Sequence, residues 1–228
     1  MTMYRALLAL SLSSLLGLAG CGSSSDSADL QAPIRTIVSG LTPAALRGPT
    51  PSTLNPTAAQ ALRADLAAAG QPVYLVVNPG QRFEGLMTPY GRNGDVTTWA
   101  AKSGETMALR DSLLVASGGF GPDLMSSAGP TLAKLRSGQG ATTRSYYYLD
   151  GADQRRAFDF ACTLAAAGSQ TITVLGLPFA TRKVTESCTH PLGNFQNVYW
   201  FDNRLILRQS RQVVTLGMES LLIQRIID

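Results

Sequence analysis

Short β-rich runs, separated by turn pairs at intervals of about 8–12 residues, predict an α+β protein that is predominantly antiparallel β. Two helix-like stretches lie among these runs, and no segment recurs at a fixed period, which excludes a repeat fold. The architecture expected is a sandwich or an open half-barrel of two meanders with two to three helices.

The elements follow in order. Thr42-Pro43 has the N-cap and first-turn pairing of a short helix. In "TAAQALRADLAAAG", Ala58, Leu62 and Leu66 share a face and Gly70 ends the helix. "PVYLVVN" is a β-rich run closed by Pro79-Gly80, and Asn93-Gly94 is a hairpin signal between "RFEGLMTPYGR" and "DVTTWAAK". Ser103-Gly104 and Arg110-Asp111 continue the meander through "ETMALR" and "SLLVAS". A second helical stretch is expected over 123–136, split by Gly129-Pro130 and capped by Asp123. The second β-rich half carries turns at Asp150-Gly151, Gly168-Ser169 and Asp202-Asn203, and Gly217 precedes the last run.

The N-terminus supplies an address. One charge, Arg5, precedes a 13-residue apolar run, Ala6 to Leu18. A spanning helix needs about 20 such residues, so the segment reads as a signal peptide over residues 1–20. Its end, Leu18-Ala19-Gly20-Cys21, resembles a bacterial lipobox, which implies cleavage before Cys21 and acylation of that cysteine. Two or more acyl chains anchor a protein stably where one does not. Gly22 follows the cysteine where an aspartate would signal inner-membrane retention, so the expected location is the outer membrane, facing the periplasm. Residues 21–31 form the lipidated N-terminus and a polar tether of roughly 17 Å by the random-coil rule. Residues 32–228 are read as a single β-rich domain.

Without residues 1–20 the chain carries 18 basic and 15 acidic side chains, too mild a balance for nucleic-acid binding. With Cys21 assigned to lipid, Cys162 and Cys188 remain as an even pair in an oxidising compartment. A disulfide is expected between them; two buried thiols are the alternative.

Signals for chemistry are sparse. "GGFGPD" (118–123) lacks the glycine of a dinucleotide fingerprint and the Gly-Lys-Ser/Thr of a P-loop, and reads as a tight turn. His190 is the only histidine, which leaves little for a triad or a zinc site; no metal and no cofactor are expected. Glu84, Asp95, Asp111, Asp123 and Glu186 are the acids available for a hydrolase or lyase that uses a carboxylate pair. Among the aromatics, strand alternation sets Tyr146 and Tyr148 against Tyr147, and Tyr199 and Phe201 against Trp200. Exposed members of this set, with Trp99, could stack on sugar rings while Arg144 or Arg208 donates to hydroxyls; packing in the core is the competing fate.

"GDVTTWAAKSGETMALRDSLLVASGGFGPDLMSS" (94–127) resembles the central signature of the YjbF/GfcB-like lipoproteins of exopolysaccharide and group 4 capsule operons. Those carry a tryptophan strand, a hairpin and a Leu-Val-Ala-Thr-Arg-Gly-Leu-Gly-x-Asp-Leu-Met-like turn, matched here by Trp99, Leu114, Val115, Gly119, Gly121, Asp123, Leu124 and Met125. Cys162, "TESCTH", "NVYWFDN" and "SRQ" also fit, covering Glu186, Cys188, Asn197, Tyr199, Trp200, Ser210, Arg211 and Gln212. Gly118 departs from the pattern, standing where relatives are expected to carry arginine.

The resemblance implies a non-enzymatic accessory factor in exopolysaccharide or capsule assembly or secretion. It also implies partners: the membrane through acylated Cys21, an outer-membrane β-barrel, periplasmic proteins of the same operon, and the polysaccharide. Trp99, Asp123, Tyr147, Trp200 and Arg211 are the residues expected to touch glycan or partner. The competing classes are a polysaccharide-modifying hydrolase or lyase and a purely structural envelope lipoprotein.

Overall fold

A computed structural model describes residues 53–215, 217 and 219–228. The signal peptide, Cys21, the tether and the helix expected at Thr42-Pro43 lie outside the described residues.

The described strands are β1 (Val73–Asn78), β2 (Phe83–Asn93), β3 (Val96–Ala101), β4 (Thr106–Arg110), β5 (Leu113–Gly118) and β6 (Ser126–Ala128). They continue as β7 (Gln139–Leu149), β8 (Arg155–Val174), β9 (Leu177–His190), β10 (Gly193–Asp202), β11 (Leu207–Val213) and β12 (Ser220–Ile227). All pairings are antiparallel and, apart from β1 with β12, join strands adjacent in sequence. The result is one twelve-stranded sheet, rolled until its edge strands β5 and β6 face each other, a nearly closed barrel in place of the expected sandwich or open half-barrel of two meanders. The seam is joined by three hydrogen bonds. Ser117 N donates to Leu124 O (2.9 Å), Leu124 N to Ser117 Oγ (3.0 Å), and Ser127 Oγ to Leu114 O (2.9 Å). The nearly closed barrel thus hides most of both edges.

Two expected boundaries move. Gly168-Ser169 is an irregularity within the long β8, with Gly168 at φ 81°, and the hairpin turns instead at Leu175-Gly176, both at positive φ. A glycine in a strand commonly marks a bulge, and that reading loses to a turn only when strand pairing stops there. The helix expected over 123–136 is reduced to one short helix, Leu132–Ser137, because residues 126–128 are taken by β6. Thr131, not Asp123, caps it, accepting from Lys134 N at 3.2 Å. Asp123 instead accepts from Gly119 N (2.8 Å), Phe120 N (3.0 Å) and Ser117 Oγ (3.2 Å), locking the 118–123 turn. That lock turns Phe120 inward, where it is buried edge-on to Phe83 with ring centroids 5.1 Å apart.

The first helix, α1 (Pro56–Ala68), starts one residue before Thr57, since Asn55 accepts from Ala58 N (2.9 Å) and Pro56 fills the first position. It covers the outer face of the barrel. Ala59 and Leu66 pack on Val73, Leu75, Ile172, Val174, Trp200 and Ile226. Arg63 fastens it by donating Nε to Leu175 O (3.1 Å), Nη1 to Ile226 O (2.7 Å) and Nη2 to Val174 O (2.5 Å). Period-two alternation sends the other phase inward: Tyr74 and Val76 on β1, Tyr146 and Tyr148 on β7, Phe160 and Cys162 on β8.

Candidate functional site

The inward phase of β7, β9 and β10 carries polar as well as apolar side chains. On β7 it runs Arg144, Tyr146, Tyr148; on β9 it runs Val184, Glu186, Cys188; on β10 it runs Phe195, Asn197, Tyr199, Phe201. Arg144 is 3% exposed, and Glu186 and Asn197 are fully buried. An isolated charge at such depth would be prohibitively costly, so each must be paired.

The pairing is complete on the carboxylate. Arg144 Nε donates to both Glu186 oxygens (3.0 and 3.1 Å), and Arg144 Nη2 lies 2.9 Å from Glu186 Oε2. Tyr199 OH (2.9 Å) and Asn197 Nδ2 (2.8 Å) also donate to Oε2. Arg144 Nη2 donates to Tyr199 OH (3.1 Å), and Val213 N donates to Asn197 Oδ1 (2.8 Å), tying the cluster to β11. Burial works against the Arg144 charge, but the facing Tyr199, Tyr146 and Glu186 more than restore it and hold its pKa above the ordinary arginine value. Burial likewise pushes the Tyr199 phenol well up, so it stays a donor.

Beside this cluster Cys162 and Cys188 form the expected disulfide, directly opposite each other on β8 and β9 with Cα atoms 4.1 Å apart. The two sulfurs and a Glu186 oxygen lie within 4.8 Å of one another. Because the sulfurs are bonded to each other they are not thiolates, and the trio is not a metal site in this state.

A cleft of about 190 Å³ opens at the β5/β6 seam and reaches Arg144 from outside. Gly129 lies flat over the guanidinium: a Cβ there would sit 2.9 Å from Cζ, 3.0 Å from Nη1 and 3.1 Å from Nη2. Glycine is therefore required by the arginine behind it.

The remaining expected contact residues are scattered. Trp99 is 7% exposed inside the barrel, edge-on to Tyr74 at 4.6 Å. Trp200 is 9% exposed beneath α1 and donates Nε1 to Gln170 Oε1 (2.9 Å). Neither indole presents a face for stacking on a sugar, because the barrel interior covers Trp99 and the helix covers Trp200. Asp123 is committed to its turn, as described above. Tyr147 faces outward, half-buried, with the Arg155 guanidinium 5.2 Å from its ring centre, and Arg211 is exposed on β11. These two retain accessible surface, but on strands well separated in the sheet order.

The carboxylates expected to serve a hydrolase are also dispersed. Asp95 pairs with Arg110 (2.7 Å), Asp123 holds a turn, and Glu186 is consumed by Arg144. Arg208 is ion-paired with Asp202 (2.8 Å) and Asp228 (2.7 Å). His190 Nδ1 accepts from Leu192 N (3.1 Å) beside Phe160, as suits a structural histidine. No described helix is long and apolar enough to cross a membrane.

An interior arginine and carboxylate are thus joined across a rolled antiparallel sheet, beside a disulfide. The chain belongs to the family of group 4 capsule polysaccharide lipoproteins, GfcB/YjbF, whose model matches residues 35–226. The fold is similar to the crystal structure of the hypothetical lipoprotein YmcC from Escherichia coli (K12), with a TM-score of 0.62 and 15% identity. That likeness covers 75% of this chain and 94% of the other. No curated protein matches the chain.

Within the family signature, most shared positions have structural duties here. Asp123 locks the turn, and Glu186, Asn197 and Tyr199 complete the buried cluster. Ser210 and Gln212 join β11 to the seam, Gln212 donating to Ser210 Oγ (2.9 Å) and accepting from Leu114 N (3.2 Å). At Gly118, a Cβ would lie 2.6 Å from Thr106 Oγ1, so the arginine expected of relatives has no room without a shift of that neighbour.

Proposed function

We propose that this protein is an outer-membrane lipoprotein, facing the periplasm, that serves exopolysaccharide or capsule assembly or secretion as a non-enzymatic accessory factor. The observation that carries the reading is the family match over residues 35–226. The lipobox-like Leu18–Cys21 and the glycine after it support the anchor and its membrane. The commitment of Glu186, Asp95 and Asp123 to ion pairs and a turn supports a contact role over carboxylate-pair catalysis. Its partners are the bilayer through Cys21, an outer-membrane β-barrel and periplasmic proteins of the same operon.

Deletion of the gene tests this. Surface polysaccharide is expected to fall while lysates keep full polymer-synthesising activity, and the wild-type gene is expected to restore the surface polymer. Unchanged surface polysaccharide in the deletion strain would overturn the reading.

A further inference from the structure

The seam cleft has a composition that the structural duties of the barrel leave partly unused. Arg144 donates to Glu186 and Tyr199 through Nε and Nη2, with the Tyr146 phenol a further hydrogen-bonding neighbour, and Nη1 lies beside Gly129 at the cleft. The side chain is nearly wholly buried yet lines the cleft, so this N–H edge is available only from the seam. Asp111, Arg110 and Thr131 also line the cleft, among Leu113, Leu114 and Pro130, with Arg110 Nε held by Asp95 and Thr131 Oγ1 capping the short helix. Asp111 is held at φ 49°, followed by Ser112 at φ 68°, so the β4–β5 turn fixes the backbone that carries this acceptor.

We propose that this cleft binds one hydroxyl-rich sugar unit of a polysaccharide. Donors and a carboxylate acceptor around one small cavity match adjacent hydroxyls, each of which both donates and accepts. The volume, about 190 Å³, equals roughly six waters and lies below the usual range for drug-sized ligands, so a single ring fits and a longer segment does not. Charge selects against an acidic sugar. The Arg144 charge is already matched by Glu186 at 2.9 Å, and an incoming carboxylate would meet Glu186 behind the arginine and Asp111 in the lining. Arg110 is itself paired with Asp95. This inference rests on the polysaccharide role proposed above, and it places sugar contact at the seam, away from the aromatic strands.

The test is titration of the detergent-solubilised full chain with methyl glucoside, methyl galactoside, methyl mannoside and glucuronate, read by calorimetry and by saturation-transfer NMR. At least one neutral glycoside is expected to bind with millimolar affinity, and more tightly than glucuronate. Asp111→Asn keeps the positive-φ turn, which asparagine tolerates, and is expected to weaken binding about tenfold. Gly129→Ala, which puts a methyl over the guanidinium, is expected to abolish it. Circular dichroism and melting temperature check that each variant is folded. No binding by any neutral glycoside, tighter binding of glucuronate, or binding unchanged in folded Asp111→Asn would overturn the proposal. Normal secretion in the deletion strain would instead overturn the functional reading, and would leave a measured sugar site standing.

Discussion

Arg144 and Glu186 meet in the barrel interior with Nη2 and Oε2 2.9 Å apart. Between these strands runs β8, so the pair staples two strands that share no ladder. Removing one partner leaves the other charge buried and unpaired. Glu186→Gln and Arg144→Met are each expected to cost about 3–5 kcal/mol in urea unfolding, and the double replacement Arg144→Met/Glu186→Leu distinctly less than their sum. Additive losses would show that the two residues do not act as a unit.

The disulfide works mainly on the unfolded chain. Cys162 and Cys188 are 26 residues apart, and closing a loop of that length stabilises by about 3–4 kcal/mol in the chain-entropy model. Cys162→Ala/Cys188→Ala is expected to lose about that amount in chemical denaturation. Because the bridge is buried, the native protein should also resist dithiothreitol until denaturant opens it. Rapid reduction of the folded protein would contradict the placement.

Arg63 is the fastening of α1, since three backbone carbonyls on two strand ends converge on one guanidinium. Arg63→Ala is expected to cost about 2–3 kcal/mol and to raise amide exchange within Pro56–Ala68 far more than in β7 or β9. Uniform loss of protection would mean that helix and barrel open only together.

Asp202 gives an acid dependence whose sign is fixed. Burial alone would raise its carboxyl, but Arg208 Nε (2.8 Å) and the Ile206 and Arg204 backbone N–H groups (2.9 Å each) outweigh burial and hold it below the ordinary carboxylate range. A lowered folded value contributes stability that is complete above the unfolded value of about 3.9 and disappears as pH falls through the folded value. Asp202→Asn should therefore be less stable than wild type at about pH 6, with the two curves converging towards about pH 2. Parallel curves would contradict this.

Strand identity was largely legible because period-two alternation and turn pairs such as Asn93-Gly94 and Asp202-Asn203 are local signals. The rolling into one sheet was not, since it depends on β1 meeting β12 across the whole chain and on a seam made by Ser117, Leu124 and Ser127. The 126–128 strand was lost to a helical reading because three residues carry too little pattern to compete with the apolar spacing around them. The buried cluster leaves one trace in the sequence, a charge at the inward phase of two strands: Arg144 with Tyr146 and Tyr148, and Glu186 with Val184 and Cys188. Gly129 was readable only as a helix breaker, because its real constraint is an arginine fifteen residues away in sequence.

The central claim is that this barrel serves the polymer by contact and not by cutting it. The most direct measurement incubates the purified full chain with the native polysaccharide of its host and follows chain length by light scattering, with an assay for new reducing or unsaturated ends. The account predicts an unchanged length distribution and no new ends. Shortening by wild-type protein that is lost in a folded carboxylate variant would contradict it.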